Sequence, residues 1–344
     1  MTTIAAGDER LARTSALTRL TKRPEIGALL AAIVIFVFFA VTTDAFATLS
    51  GSATWLRSAS TIGIMAVAVA LLMIGGEFDL SAGAMTGFTG LVVGILTTEY
   101  GLNIWVAILV SLALALAVGF VNGLLVMRTG LPSFIVTLGT FFVLQGIDLA
   151  GTKALIGQVA IQGMRDVPFY DSAKAVFGSS AEIGRGTFYV SILWWVAVAA
   201  VATWVLLRTR IGNWIFAVGG AQVSARQVGV PVAKTKIGLF MTTAGCGWLV
   251  GMLLLFTTST VQSNTGVGQE FIYIICAVVG GCLMTGGYGS AIGAAFGALI
   301  YGMANQGIVY AGWDNNWLRA FLGVMLLAAV LLNEWVRKRA EATR

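Results

Sequence analysis

The sequence contains no histidine and few charged residues. Of its 344 residues, 58% are apolar and 10% are charged. Without histidine the chain can build no imidazole-based catalytic triad, no histidine-ligated zinc site and no imidazole proton relay. Soluble domains carry about a quarter of charged residues, so this chain has too few to keep a water-facing surface solvated. The composition predicts an integral membrane protein of the all-α class, since the apolar runs are continuous and do not alternate.

Cysteine and proline are also scarce. The three cysteines, Cys246, Cys276 and Cys282, all lie inside apolar runs. They are interpreted as small buried hydrophobic residues, with no disulfide and no metal site. The sequence has 4 prolines but 43 glycines, a composition typical of membrane helices that pack through small residues.

Two further absences limit the possible functions. The sequence contains no G-x-x-x-x-G-K-[ST] motif, so it has no P-loop with which to hydrolyse ATP. We therefore expect a non-enzymatic chain without a cofactor of its own. No buried Asp–Lys or Glu–Arg pair is expected in the middle of a span, where an ion-coupled carrier would often have one. The basic residues sit at span ends, which argues against nucleic acid as a partner.

The hydrophobic pattern predicts about ten transmembrane helices in a single domain over 26–336. A span needs roughly 20 mainly apolar residues. The candidate spans are 26–43, 60–76, 81–98, 103–127, 132–150, 187–207, 237–257, 269–286, 290–309 and 318–336.

The basic residues predict the orientation. With ten crossings and the amino terminus inside, 15 of the 21 basic residues face the cytoplasm, as the positive-inside rule requires. The tails 1–25 and 337–344 and the loop 208–236 are then cytoplasmic, and the connection 151–186 is an external, short structured cap. The amino-terminal stretch shows no cleavable signal peptide, and its first helix is expected to be retained.

The motif GGEFDLSAG at 75–83 must turn the chain, because one helix over 60–98 would be about twice as long as the membrane is thick. It contains Glu77, Asp79 and Ser81. One interpretation is a solvated turn in which Asp79 and Ser81 cap the next helix. The other is a broken helix that lines the transport pathway.

Polar residues in the stretch 131–146 also allow two interpretations. Thr137 and Thr140 lie three apart on one face of a helix that begins at Pro132, and Gln145 follows. They can line a path for a polar solute. They can equally form hydrogen bonds between packed helices.

Glycines in the stretch 279–299 predict close helix packing. Gly289, Gly293 and Gly297 are spaced by four residues, a series that lets helices approach one another or slide during a transport cycle. The pair Gly280-Gly281 in this stretch repeats the pair Gly75-Gly76, a weak internal echo of the kind found in transporters built from repeats.

The loop 208–236 carries five basic residues and no acid: Arg208, Arg210, Arg226, Lys234 and Lys236. Within it, the segment 219–229 predicts a helix of about eleven residues that ends at Gly229 and Pro231. Such a helix can rest on the membrane surface, or it can receive force from a partner protein.

Several of these stretches together resemble the permeases of ribose-type ABC importers. They are MIGGEFDLSAGAMTG, GFVNGLLVMRTGLPSFIVTLGTFFVLQG, AVGGAQVSARQVGVPV and AVVGGCLMTGGYGSAIGAAFGALIYGMANQGI, and they follow the order of that family over about 60–336. The form GGEFDLSAG is closer to the branch that handles fructose and related sugars or polyols. The resemblance implies the ribose- and vitamin-B12-like permease fold.

The resemblance also implies partners. They are an ABC ATPase subunit that binds ATP and magnesium, a periplasmic or extracellular solute-binding protein, and a second permease subunit, expected to be a copy of this chain. The chain would be a multi-pass protein of the inner membrane that imports a monosaccharide or sugar alcohol. The alternatives are a permease for another solute, such as a branched-chain amino acid or nucleoside, an ion-coupled secondary carrier, and a membrane scaffold without transport.

The resemblance assigns roles to residues as well. The family's coupling region corresponds to Gly219, Gly220, Gln222, Ala225, Arg226 and Gly229. Because the family usually starts this region with an acidic residue or asparagine and this chain has Ala221-Gln222, the side chains that would touch the ATPase differ. Candidates for the translocation pathway are Asn122, Thr137, Thr140, Phe142, Gln145 and Asn305.

Overall fold

A computed structural model describes the backbone of residues 24–342 and the side chains of residues 25–331. The predicted tail 1–25 lies almost wholly outside the described residues, and so do the side chains of the tail 337–344. The described part consists of helices with four short strands. The predicted all-α membrane class is confirmed.

Fourteen α-helices follow one another along the described chain. They are α1 (Pro24–Thr42), α2 (Leu49–Ile74), α3 (Ala82–Thr98), α4 (Ile104–Thr129), α5 (Ser133–Gly146), α6 (Thr152–Ile156), α7 (Tyr170–Phe177), α8 (Ser191–Arg208), α9 (Arg210–Gly220), α10 (Gln222–Gln227), α11 (Val232–Thr258), α12 (Gln269–Val279), α13 (Ala291–Tyr310) and α14 (Trp317–Ala342). A π-helical turn, Ile147–Gly151, joins α5 to α6, and a 3-10 turn covers Met164–Asp166.

Each of the ten predicted spans contains an apolar helix. In the described residues, seven helical stretches are long and apolar enough to cross a membrane. The other three predicted spans correspond to the shorter α3, α12 and the apolar part of α14. Helix α12 ends at Val279, seven residues before the predicted boundary, because Gly280 caps it. Helix α2 begins at Leu49, well before the predicted 60, because the Thr48 side chain accepts a hydrogen bond from the Gly51 N–H (3.0 Å) and caps it there.

Helix α2 forms the centre of the molecule. Its most apolar window is 83% buried, against 17% for α1 and 22% for α8. It packs against α13, α8, α11 and α12. Lipid is as apolar as the helix faces, so association depends on van der Waals packing of small side chains. The central stretch of α2 supplies them in Ala66, Ala68 and Ala70, all buried.

The connection 157–190 folds into small elements that tie two parts of the chain together. Strand β1 (Ala160–Ile161) pairs antiparallel with β4 (Val261–Gln262), and β2 (Ser180–Ile183) forms a hairpin with β3 (Gly186–Tyr189). Tyr170 and Ser259 share a hydrogen bond of 2.6 Å. The predicted cap therefore docks on the end of α11.

The predicted glycine seam is present in α13. Gly293 packs against the carbonyl of Gly280, and Gly297 packs against the backbone of Cys276, so closely that a Cβ at either position would overlap those backbone atoms. Gly289 lies outside the helix, since Ser290 caps α13 by accepting from the Gly293 N–H (3.3 Å). Two glycines of the predicted series thus hold α13 against α12.

Replacing Gly297 by leucine is expected to prevent this contact, because a backbone carbonyl cannot move aside as a side chain can. Overpacking typically costs about 1–3 kcal/mol, and here the neighbouring atoms are all backbone. We expect a clear drop in the midpoint of thermal unfolding in detergent and a loss of monodisperse protein on size exclusion. The matched control is Gly323→Leu, because Gly323 in α14 has open space around it. Equal behaviour of the two variants would contradict the seam.

Candidate functional site

The chain breaks between α2 and α3 at residues 75–81. Gly75 ends α2 by donating its N–H to the Leu71 carbonyl (3.1 Å). Gly76 then adopts a left-handed conformation with φ +80°, which glycine reaches without the penalty of a side chain. From Glu77 to Asp79 the backbone has no regular structure, and α3 begins at Ala82. The three residues predicted at a helix break, Glu77, Asp79 and Ser81, all lie in this segment.

The break is buried. Glu77 is 8% exposed and Asp79 is 2% exposed, so the interpretation of a solvated turn does not hold. Backbone groups freed by a broken helix must find partners inside the protein. Here α5 supplies them: the Phe78 N–H donates to Ser133 Oγ (3.0 Å) and the Leu80 N–H donates to Thr137 Oγ1 (3.0 Å). Thr137 thus holds the break in place.

A chain of buried hydrogen bonds leads away from Asp79. Asp79 Oδ1 accepts from the Ser81 N–H (2.9 Å) and from Ser81 Oγ–H (2.5 Å). Asn122 Nδ2 donates to Ser81 Oγ (3.1 Å), and Thr140 Oγ1 donates to Asn122 Oδ1 (2.6 Å). Three helices are joined at the break, α3, α4 and α5, through side chains that the sequence proposed for a pathway.

A buried ion pair lies on the other side of the break. Lys236 Nζ contacts Glu77 Oε1, with side-chain exposures of 6% and 10%. The same ammonium donates to Gln222 Oε1 (2.7 Å). Lys236 was predicted to be a charge of the cytoplasmic loop, but it belongs to α11 and is buried. The expectation of no buried Asp–Lys or Glu–Arg pair in the middle of a span did not extend to this Glu–Lys pair, which joins the break to the start of α11. The partners are 159 residues apart, so no local spacing links them.

The predicted coupling helix is divided. Helix α9 ends at Gly220, and Ala221 adopts φ −156° and ψ 81°, so α10 covers only the six residues Gln222–Gln227. The prediction of one helix of about eleven residues over 219–229 is therefore wrong. Gly229, with φ +86°, follows α10 and turns the chain towards α11.

Helix α10 buries one side and exposes the other. Ala225 is 4% exposed and packs with Val218 and Val232. Val223 and Val228 are 73% and 79% exposed, and the side chain of Arg226 is also exposed. Val223 and Val228, which directly follows α10, are thus two apolar side chains that the described residues leave uncovered.

The predicted coupling segment, 219–229, is in direct contact with the break. A Cβ on Gly219 would overlap the carbonyl of Ile74, the last residue of α2. Gly287 donates its N–H to that same carbonyl (2.8 Å), and the Gly287 backbone lies beside Gly220. The end of α2, the end of α9 and the loop before α13 therefore meet backbone to backbone. A shift of α9 cannot leave the break unchanged, since no flexible side chain separates them.

The weak sequence echo is a repeated turn. Gly280 caps α12 through the Cys276 carbonyl as Gly75 caps α2 through Leu71. Gly281 has φ +91°, and Cys282 donates its N–H to Ala277 O (3.0 Å) just as Glu77 donates to Leu72 O (3.1 Å). Both pairs of glycines stop a helix in the same way.

Three of the proposed pathway residues lie apart from this cluster. Phe142 is 60% exposed on α5, and Gln145 is half-buried on the same helix. Asn305 donates to Ser58 Oγ (3.0 Å) and so joins α13 to α2. The structure also adds Ser133, whose place directly after Pro132 at a helix start was the only signal in the sequence. No metal-binding group of three or more acidic, histidine or cysteine residues occurs among the described residues.

The sequence matches one protein family and several known proteins. Residues 51–330 match the family described as "Branched-chain amino acid transport system / permease component". The chain is 30% identical over 285 residues to the fructose import permease protein FrcC of Rhizobium meliloti, covering 83% of this chain and 78% of FrcC. It is 30% identical over 306 residues to the ribose import permease protein RbsC of Escherichia coli K12, covering 89% of this chain and 92% of RbsC. It is also 29% identical to the autoinducer 2 import system permease protein LsrC of Salmonella typhi over 315 residues, covering 91% of this chain and 86% of LsrC.

Removing one partner of the buried ion pair is expected to be far more damaging than removing both. Glu77→Gln or Lys236→Met alone leaves a buried charge uncompensated, which costs about 3–5 kcal/mol, whereas replacing both is often neutral. We expect the thermal midpoint in detergent to fall strongly in each single variant and to recover largely in the double variant. Lys234→Met, which removes an exposed charge, is the control. A double variant no more stable than the single variants would show that the pair is not coupled.

Proposed function

Because the chain belongs to the family of permease components named for branched-chain amino acid transport systems, we propose that it is the membrane permease of an ABC importer for a monosaccharide or sugar alcohol. The observation that carries the sugar assignment is the 30% identity to permeases named for fructose and for ribose, each aligned over more than four-fifths of this chain. These relatives favour a sugar over the amino acid in the family's description.

The permease acts with a separate ATPase in this proposal. The sequence has no P-loop, so the energy of ATP has to enter through a protein contact. The exposed surface of α10, formed by Val223, Arg226 and Val228, supports such a contact. Exposed apolar side chains beside a basic residue are typical of the centre of a protein interface. Ala225 faces inward and anchors α10 against α9 and α11.

The route from α10 to the spans has two parts. Gln222, the first residue of α10, accepts a hydrogen bond from Lys236, which pairs with Glu77 in the break. Gly219 and Gly220 press on the end of α2 and the loop before α13. We infer that movement of α10 pulls on the break by the first route and pushes on it by the second, and so moves α2, α3 and α13 together.

The orientation proposed from the basic residues is supported by the arrangement of the helix ends. The end of α2, helices α9 and α10 and the start of α11 lie together. The paired strands β1 and β4 follow the far ends of α6 and α11. We place the chain in an inner membrane with the coupling segment facing the cytoplasm. Both termini are then cytoplasmic. The 157–190 connection then faces outward, where a solute-binding protein would deliver the sugar.

The sugar path is proposed to run beside α5. On α5, the side chains of Thr137 and Thr140 form hydrogen bonds with Leu80 and Asn122 at the break. Phe142 and Gln145 on the same helix lie apart from these hydrogen bonds. Phe134, Ile135 and Val143 on α5 are also exposed. A second permease subunit, expected to be a copy of this chain, would cover this face, and the path would lie between the two. The network of Asn122 and Thr140 opens towards the path when the break moves.

The coupling assignment is tested by changing only exposed side chains. Val223→Asp with Val228→Asp is expected to weaken binding of the cognate ATPase about tenfold or more, since an uncompensated buried charge costs about 3–5 kcal/mol and about 1.4 kcal/mol already corresponds to tenfold. Sugar uptake should fall in parallel while the thermal midpoint of the permease stays unchanged. Scrambling Gly219–Gly229 should abolish uptake. The control for ATPase binding is Val159→Asp, which should bind the ATPase as the native chain does, since Val159 is exposed in the 157–190 connection on the proposed outer side. Normal uptake by the double aspartate variant would refute the role of α10.

The cargo is tested separately with the reconstituted complex of permease, ATPase and solute-binding protein. ATP hydrolysis in proteoliposomes is expected to rise with fructose, ribose or a polyol and not with leucine or a nucleoside. Stimulation by leucine alone would overturn the sugar assignment and leave the coupling assignment intact. Uptake by the permease alone, driven by an ion gradient, would overturn both.

A further inference from the structure

An apolar groove runs along the outside of the molecule between α8 and α13. Its volume is about 640 Å³. It extends from Trp195 to Arg208 on α8, and the 1.5 Å rise per residue over this stretch makes it about 20 Å long. No residue of the break, 75–81, or of the predicted coupling segment, 219–229, lines this groove. The groove therefore needs an explanation of its own.

The groove exists because small side chains stand between large ones. Ala199 on α8 and Ala295 on α13 form its floor, and Trp204 and Leu299 form part of its walls. Its single hydroxyl group, on Thr203, is already used, since it donates to the Ala199 carbonyl (2.6 Å). A sugar lying here would lose its hydration and find few partners for its hydroxyl groups, since besides Thr203 and Arg208 the lining offers only the indole N–H groups of Trp195 and Trp204. The lining fits a hydrocarbon chain.

Charge is confined to one end of the groove. Arg208 lines that end, its side chain is exposed, and the only ion pair among the side chains described is the one between Lys236 and Glu77. Trp204, one turn earlier, is 60% exposed. Tryptophan and arginine at the end of a membrane helix are positioned at the level of the lipid headgroups. The groove thus combines an apolar length with one exposed arginine at its mouth, which pairs with none of the acidic side chains that the structure describes.

We propose that this groove binds one acyl chain of an anionic phospholipid, whose phosphate is held by Arg208. The length of the apolar lining and the charge at its mouth match the two parts of such a lipid. A guanidinium group pairs with phosphate through two parallel hydrogen bonds. The site is independent of the proposed cargo and of the coupling contact, and it adds a selective lipid contact to a chain otherwise surrounded by bulk lipid.

The expected preference for the anionic lipid is about fivefold, since one basic residue at a membrane surface contributes about 1 kcal/mol. The full chain is reconstituted in vesicles of phosphatidylcholine and phosphatidylglycerol. Bromine atoms, which quench tryptophan fluorescence on contact, are carried on the acyl chains of either one lipid or the other. The signal of Trp204 is obtained as the difference between the native chain and Trp204→Phe. The preference is the ratio of its quenching by the two brominated lipids at equal mole fraction.

Arg208→Gln should reduce the preference from about fivefold to none, while Arg210→Gln, an exposed arginine that does not line the groove, should keep it. Ala199→Phe, which fills the groove, should lower quenching by both lipids. Inorganic phosphate in the buffer should leave the ratio unchanged, because the ligand is a whole lipid.

Three results would overturn the proposal. A preference equal in the native chain and in Arg208→Gln would mean that the groove holds bulk lipid without selection. Loss of the preference in inorganic phosphate would mean that Arg208 binds free anions. Protection of Trp204 from both brominated lipids would mean that another protein segment or a second copy of this chain covers the groove. The elution volume on size exclusion confirms that each variant is folded.

Discussion

The structure depends on how a broken helix is accommodated inside a membrane protein. Between Ile74 and Ala82 the backbone loses its helical hydrogen bonds in a buried place, where each unsatisfied group costs several kcal/mol. Hydroxyl groups of Ser133 and Thr137 take up two of the freed N–H groups. The two acidic residues of the break are held by Ser81 on one side and Lys236 on the other. Helices α3, α4, α5, α10 and α11 are arranged around these partners.

The same arrangement places the predicted coupling segment, 219–229, in contact with the break inside the membrane domain. Lys236 and Gln222 link the break to α10 through charge and hydrogen bonds, and Gly219 links it through direct backbone contact. A buried ion pair adds little net stability compared with an apolar pair, so its presence here is better explained by the need to join distant segments in one register. The glycines serve the same purpose, because only a residue without a side chain lets three backbone turns meet.

Much of the fold could be predicted from the hydrophobic pattern and the glycine spacing of the sequence. Each of the ten apolar runs contains a helix, the turn at Gly75-Gly76 lies where the excess length of 60–98 required one, and Gly293 and Gly297 pack closely as their spacing predicted. The boundaries were less predictable. Thr48 starts α2 eleven residues before the predicted boundary, because a cap depends on one local hydrogen bond and not on hydropathy. Ala221, with φ −156° and ψ 81°, divides the predicted coupling helix, a break that the hydropathy of the segment does not show either.

The chain by itself determined that this is a helical membrane protein without a P-loop motif, because composition and motif are local properties that any fold would preserve. It also identified Glu77, Asp79, Asn122 and Thr140 as polar residues within or between apolar spans, and hence as candidates for a structural or functional role. Only the tertiary structure decided what those residues do. The sequence places Lys236 among the basic residues of a loop, whereas the fold places it against Glu77. The fold also places Asn122 between Ser81 and Thr140, partners that the sequence does not indicate. Partners separated by up to 159 residues leave no trace in local spacing, since only the packing of the helices brings them within reach.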